Sequence, residues 1–365
     1  MYILHISGNA GDLYKRMIEA EAHNGCRVKF LYYKTNKGVQ ADSKIPEELL
    51  LRYQGNSIFR GPVMLLNRLN SVAKYVCNKL QDKPDLLYAH MLFSDGYIAR
   101  RIKKRWGVPY IVAVRNTDMN LWFYWKLPWL RLFGYKTLKE AKKVVFLSEA
   151  YKIKFLQRLP QKLSGEVSKK AVVLPNGIDP FWHENAAKMP KVITGDRIRL
   201  ITVGRIEENK NQITVKAAMD ILRERGHSVS YTVIGDVVDH RMAKELGEDE
   251  RINLVPFKAK EEQLAYYQKS DIFVMPSIHE TFGLVYAEAM SQGLPVIYTK
   301  GQGFDGQFAE GIVGYAVNCM NAEEIADAVE RICGNYVNIS ENCIEGAKKF
   351  NWKAITRAYL QDGTV

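Results

Sequence analysis

Short runs of apolar, often β-branched residues recur along the chain at 2–6, 28–33, 86–90, 110–114 and 144–147. They recur again at 199–203, 231–234, 253–255, 272–275 and 295–298, with longer stretches of helical spacing between them. Strands that are apolar at successive positions are buried on both faces, as in parallel sheets covered by helices. Right-handed crossovers wind such strands into open sheets with helices on either side. Because the alternation restarts near residue 198, the pattern predicts an α/β chain of two doubly wound parallel-sheet domains facing each other. A deep inter-domain cleft is expected at the carboxyl ends of the strands, where ligands of such sheets bind. Turn residues Asn176-Gly177-Ile178-Asp179-Pro180 and the polar, aperiodic stretch 185–196 set the boundary within 176–197. This gives a first domain over 1–180, a second over 181–350 and a final helix in 351–365.

A chain of 365 residues is comfortable for two domains with separate cores. Met1-Tyr2-Ile3-Leu4-His5-Ile6 runs straight into Ser7-Gly8, which reads as a first strand and not as a signal peptide. No apolar run approaches the ~20 residues that span a bilayer, so the expected location is cytoplasmic, with at most peripheral attachment to the inner face of the membrane. The five cysteines, at 26, 77, 319, 333 and 343, form no C-x-x-C pair and read as reduced thiols, with neither a disulfide framework nor a zinc site. Charge is uneven: residues 1–185 hold 31 Lys and Arg against 15 Asp and Glu, and the remainder 21 against 25. A basic first half is expected to meet an anionic partner, such as a membrane surface, a phosphorylated acceptor or nucleic acid, unless it serves only solubility.

The segment most informative about chemistry is 276–290, Pro-Ser-Ile-His-Glu-Thr-Phe-Gly-Leu-Val-Tyr-Ala-Glu-Ala-Met. It follows an apolar strand, turns, and opens a helix near Gly283. Unpaired N–H groups and the positive dipole end of a helix start favour a phosphate there, and Gly283 lets the backbone approach a ligand closely. Glu280 precedes the helix, and Glu288 lies further in by roughly 7–8 Å along its axis. Carboxylates accept hydrogen bonds from sugar hydroxyls, so Glu288 suits a ribose and Glu280 a transferred sugar. The alternative makes them a capping neighbour and a surface residue. A second segment, Val203-Gly204-Arg205-Ile206-Glu207-Glu208-Asn209-Lys210-Asn211, follows the first strand of the second half. Arg205 and Lys210 flank a strand-end loop where a departing diphosphate would be stabilised by their charge. A solvated Arg/Lys pair is the alternative.

Together these segments resemble glycosyltransferase family four, retaining enzymes built from two facing Rossmann-like domains (the GT-B architecture). Glu280 and Glu288 are similar to that family's glutamates separated by seven residues, and Gly204-Arg205 with Lys210-Asn211 to its phosphate-binding signature. Pro175-Asn176-Gly177-Ile178-Asp179, Pro84-Asp85-Leu86-Leu87-Tyr88-Ala89-His90 and Gly293-Leu294-Pro295-Val296-Ile297 also match in order, so the resemblance covers nearly the whole chain. It implies that Arg205 and Lys210 bind the donor diphosphate and that the backbone of Phe282, Gly283 and Leu284 meets the distal phosphate and sugar. Glu280 would hold the sugar and Glu288 the ribose. Gly235 and Phe257 would lie near the nucleotide, the latter at a position that meets the base through its backbone. On the acceptor side it implies Gly8, His90, Arg115, Asn116 and Asp118. Arg115 stands where many members carry a histidine, and His90 is the weaker candidate, reading first as a satisfied strand-end residue. The final helix would cross back to the first domain.

The implied reaction is same-face substitution: the diphosphate leaves, an oxocarbenium-like centre forms, and a diphosphate oxygen takes the acceptor's proton. No Asp-x-Asp motif is present, so neither a metal nor a further cofactor is expected beyond the nucleotide-diphosphate sugar itself. The acceptor is expected to be a saccharide or a lipid-linked saccharide. The stretch 121–133, dense in aromatics and cations, suits either the headgroup level of an anionic membrane or a buried helix. Rival readings are an epimerase or phosphorylase on the same fold, a non-catalytic nucleotide-sugar binder, and a nucleic-acid binder. No nucleic-acid motif appears to support the last.

Overall fold

A computed structural model describes residues 1–34, 44–54, 62–115, 118–119 and 128–361. The chain divides into two compact units. The first comprises Met1–Leu147, Lys152–Asn176 and Trp352–Val365, and the second Ser148–Tyr151 and Gly177–Asn351.

The first unit is a seven-stranded, wholly parallel sheet of β1 (Tyr2–Ser7), β2 (Arg27–Lys34), β3 (Leu50–Gln54), β4 (Leu86–Ala89), β5 (Tyr110–Ala113), β6 (Lys143–Phe146) and β7 (Ala171–Val173). Their order is β3-β2-β1-β4-β5-β6-β7. β1 and β4 are buried along their whole length, as the apolar runs require. The last helix, Trp352–Gln361, belongs to this unit. Its Trp352 and Tyr359 join Ile3, Met17, Leu86 and Ile111 in one core cluster. Asn24 Nδ2 anchors the same helix by donating to Thr356 Oγ1 at 2.7 Å and to the Lys353 carbonyl at 3.1 Å.

The second unit is a six-stranded parallel sheet of β8 (Arg197–Val203), β9 (Ser228–Ile234), β10 (Ile252–Val255), β11 (Ile272–Val274), β12 (Val296–Thr299) and β13 (Gly314–Val317), ordered β10-β9-β8-β11-β12-β13. Its helices start where capping chemistry dictates. Asp239 accepts from the N–H groups of Arg241 and Met242, and Asn321 from those of Glu323 and Glu324.

Both sheets reverse their winding beside the first strand of the set, between β1 and β4 and between β8 and β11. These are the switch points at which doubly wound sheets bind ligands. The ten expected strands are present. The three that the apolar pattern did not predict, β3, β7 and β13, are all edge strands, and each is only partly buried. An edge strand has a neighbour on one side only, so its sequence carries less apolar signal.

Candidate functional site

In the second unit, the loops leaving β8 and β11 meet at the switch point and are stitched together by side chains. Asn209 Nδ2 donates to the His279 carbonyl at 3.0 Å, and its Oδ1 accepts from the His279 N–H at 3.0 Å. The Ile278 N–H donates to the Asn209 carbonyl at 2.9 Å. Asn211 is buried and is the one non-glycine among the described residues with positive φ (58°). An asparagine tolerates that conformation better than most side chains. Its Nδ2 donates to the carbonyls of Pro276 and Cys319. Gln212 Nε2 donates to the Arg205 carbonyl at 2.9 Å.

This stitching brings Lys210 to Glu280. Lys210 Nζ lies 2.8 Å from Glu280 Oε2, with side chains 17% and 13% exposed. The other oxygen of Glu280 accepts from the Thr281 N–H at 3.0 Å. Two residues from β12's far end also hold this loop: Gln302 Oε1 accepts from the Glu280 N–H at 3.1 Å, and the Gly303 N–H donates to the Glu280 carbonyl at 2.9 Å. Arg205, by contrast, is 63% exposed and pairs with Glu207 at 3.0 Å.

Gly283 caps the helix Leu284–Ser291 in the left-handed region at φ 75°. A Cβ there would fall 2.4 Å from the Tyr286 ring, so both conformation and space require glycine. The Tyr286 hydroxyl is fixed in turn by donating to the Met275 carbonyl at 2.5 Å. Phe282 is buried, with its ring 5.7 Å from Phe350 and 6.5 Å from Phe304. It is therefore the backbone at 282–284 that remains for a ligand. Glu288 is half-buried on the same helix. Gly235, at the end of β9, packs on the loop after β8, and a Cβ would sit 2.1 Å from the Gly204 carbonyl oxygen. Phe257, beyond β10, is 63% exposed, and Val237 and Val238, beyond β9, are exposed as well.

The first unit's switch point is built differently. Gly8 is exposed after β1, whereas His90, after β4, is completely buried. His90 Nε2 lies 2.9 Å from His5 Nδ1, and His5 Nε2 lies 2.6 Å from Glu21 Oε2. The Tyr359 hydroxyl donates to the other oxygen of Glu21. Among the described residues, His90 Nδ1 has no hydrogen-bond partner. Burial, with smaller contributions from His5 and Arg115, holds His90 well below the ordinary histidine pKa, so it stays neutral. Arg115 Nε donates to the His90 carbonyl at 3.3 Å, and Nη1 reaches Asn176 Oδ1 at 3.5 Å.

Asp118 Oδ2 accepts from the N–H groups of Leu92 (3.1 Å) and Arg115 (2.9 Å). Burial nonetheless pushes its pKa up to about 6. Asp95, which the sequence did not single out, accepts at Oδ1 from Tyr33 and Ser94, and burial lifts it to about 7, with Asp118 adding to the rise. Asp95 Oδ2 and Asp118 Oδ1 are both buried without hydrogen-bond partners among the described residues. Asn116 and 121–127 lie outside the described residues. Among the described residues no group of three or more His, Cys, Asp or Glu side chains is placed to hold a metal ion. Also among them, no helix is long and apolar enough to cross a membrane.

Two family models match the chain in succession: Glycosyltransferase Family 4 over residues 14–181, and Glycosyl transferases group 1 over 185–350. The chain belongs to the family-four glycosyltransferases. D-inositol 3-phosphate glycosyltransferase 2 of Catenulispora acidiphila is 28% identical over 75% of this chain and 69% of its own length. Matches to the same enzyme in Corynebacterium are shorter, one of them covering 28% of that protein at 32% identity. Among solved structures, sucrose-phosphate synthase of Thermosynechococcus elongatus superposes with a TM-score of 0.75 at 19% identity, covering 100% of this glycosyltransferase and 98% of the synthase. The Anabaena protein HepE, crystallised with UDP-glucose, gives 0.67 at 17% identity and covers 100% and 99%. These likenesses establish the GT-B fold.

The residues that sequence reasoning missed fall into two groups. Asn209, Gln302 and Gly303 shape the loop that carries Glu280. His5, Glu21, Asp95 and Tyr359 surround the first unit's switch point. An Asn after each of two loop positions, and a Gly-Gln-Gly at 301–303, were the available signals for the first group. The second group left none, because its members are far apart in sequence.

Proposed function

We propose that this protein is a retaining glycosyltransferase that takes its sugar from a nucleoside-diphosphate sugar. The observation that carries this is the Lys210–Glu280 pair, 2.8 Å apart and mostly buried, beside the glycine-capped start of the helix Leu284–Ser291. An ammonium group and unpaired helix N–H groups stabilise a departing diphosphate without rearranging as charge develops. Arg205, exposed and paired with Glu207, adds a guanidinium that suits a phosphate. Glu280 accepts hydrogen bonds from the sugar, and Glu288 from the ribose. The exposed Phe257, Val237 and Val238 offer apolar surface beside the base.

In the reaction the anomeric carbon–oxygen bond to the diphosphate breaks while the acceptor hydroxyl attacks from the same face. Its proton passes to the diphosphate oxygen that has just been released. No divalent metal enters this scheme, and the sequence has no Asp-x-Asp to hold one. The acceptor is a saccharide or a lipid-linked saccharide held at the strand ends of the first unit, by the backbone at Gly8 and the Arg115 guanidinium. The UDP-glucose in the HepE crystal makes uridine nucleotides the first donors to screen.

The test pairs stereochemistry with one substitution. Proton NMR of the product formed from an α-linked donor should show an α-linkage; a β-linked product overturns the proposal. Glu280→Gln should lower kcat by about 10²-fold, the scale seen when one transition-state hydrogen-bonding group is lost. The nucleoside diphosphate should still raise the Tm of this variant.

A further inference from the structure

A second cationic feature lies in the first unit, on the faces of two neighbouring helices, Pro62–Lys79 and Ser94–Trp106. A cavity of about 310 Å³ opens between them, lined by Asn70, Ala73, Lys74 and Cys77 from one helix and by Arg101, Lys104 and Arg105 from the other. The spacing explains the lining. Residues 70, 73, 74 and 77 share one face of a helix, and so do 101, 104 and 105.

Two hydrogen bonds fix the helices together along the cavity: the Tyr97 hydroxyl to Asn70 Oδ1 at 3.2 Å, and Arg105 Nη2 to Asn78 Oδ1 at 3.3 Å. The lining contains four cations and no carboxylate. Arg100, outside the cavity on the second helix, does have a carboxylate partner, Glu140 at 2.7 Å. None of Lys74, Arg101, Lys104 and Arg105 has a carboxylate partner among the described residues. Four like charges around one cavity repel one another unless an anion sits among them. Arginine forks and lysine ammonium groups together match phosphate oxygens. Ala73 and Cys77 give the floor an apolar patch.

We infer that this cavity is a binding site for a phosphate-bearing group, separate from the donor site and carried by Lys74, Arg101, Lys104 and Arg105. The group belongs either to an anionic lipid headgroup or to a soluble phosphate ester, and the two sources call for different probes.

Cys77 provides a local reporter, because its half-buried thiol lines the cavity. Burial raises its pKa, so alkylation by iodoacetamide is slow enough to follow by peptide mass spectrometry at mildly alkaline pH, with Cys26, outside the cavity, as internal reference. The full chain is labelled at low salt, where screening is weakest. The probes are glycerol 1-phosphate and vesicles of phosphatidylcholine with or without phosphatidylglycerol. A ligand at twice its Kd leaves a third of the sites open, so labelling at Cys77 should slow about threefold. Slowing by glycerol 1-phosphate supports a soluble ester, and slowing by the anionic vesicles alone supports a lipid headgroup. The triple variant K74Q/R101Q/K104Q, which changes exposed side chains with no ion-pair partners, should keep its Tm and lose the effect. Unchanged labelling with both probes overturns the inference. So does slowing that survives in the triple variant but disappears in R205Q/K210Q, since the anion would then be acting at the donor site. The inference stands or falls apart from the proposed reaction.

Discussion

The two switch points of this glycosyltransferase solve opposite electrostatic problems. In the second unit the charged groups sit on loops, where Arg205 is exposed and the Lys210–Glu280 pair keeps partial contact with water. They are held by a lattice of short polar contacts: Asn209 with His279, Asn211 with Pro276, and Gln302 with Glu280. In the first unit the titratable groups are fully buried and joined over long distances, from Tyr359 through Glu21 and His5 to His90. Three polar atoms there, on His90, Asp95 and Asp118, have no hydrogen-bond partner among the described residues. The comparison teaches that the same sheet topology can carry its charges on loops at one strand end and bury them among distant partners at another. Loop charges that remain near solvent cost little to keep ionised, whereas buried ones must be paired or neutralised.

The comparison breaks most sharply if the buried chain proves dispensable. His5→Ala removes the ring that lies between Glu21 and His90. Truncating one partner in a buried pair costs about 3–5 kcal/mol, so the first unit should lose that much in urea unfolding. A loss below about 1 kcal/mol, the scale of an exposed pair, would erase the contrast.

On the other side, Lys210→Ala should cost less stability than His5→Ala, because its partner Glu280 keeps 13% of its side chain in water and still accepts from the Thr281 N–H. Turnover should fall by about 10²–10³-fold, equivalent to roughly 3–4 kcal/mol of transition-state stabilisation. Steady-state kinetics beside a thermal melt separates the two outcomes. Equal losses in both would make Lys210 a structural residue.

The smallest effect is the most specific. Asp95 in the folded state has a pKa raised to about 7, above its unfolded value of about 3.9. A group raised in this way favours folding while protonated, and that contribution is lost as pH rises from about 4 through about 7. Asp95→Asn keeps an acceptor for Tyr33 and Ser94 and removes the charge. It should therefore stabilise the protein at pH 8 by roughly 2 kcal/mol, half the ceiling set by about three pKa units, and by almost nothing at pH 4. Melting curves across that range check the sign; a variant less stable than the parent at pH 8 would show that the carboxylate is needed ionised.

Much of this was legible in the chain itself. Inner strands of a parallel sheet are covered on both faces, so β1, β2, β4, β5, β6, β8, β9, β11 and β12 announce themselves as apolar runs, as does the edge strand β10. Strands β3, β7 and β13 hide because each is an edge strand and only partly buried. The second unit's candidate site was readable for a related reason. Gly204, Arg205 and Lys210 lie within one loop, and Glu280, Gly283 and Glu288 within another, each directly after a strand, so local sequence carries both the geometry and the chemistry.

The first unit's network was not readable, because its contacts join residues 16, 85 and 338 positions apart. A histidine at a strand end looks the same in sequence whether it faces a ligand or another histidine. Sequence by itself determined the winding of two parallel sheets and the loops that carry the second unit's charged residues, since periodicity and short motifs encode those directly. Only the tertiary structure decided that His90 is buried against His5, that Asp95 joins Asp118, and that four cations line one cavity. Burial and partner choice depend on which distant segments the fold brings together, and these set the energy of a charge more strongly than its neighbours along the chain do.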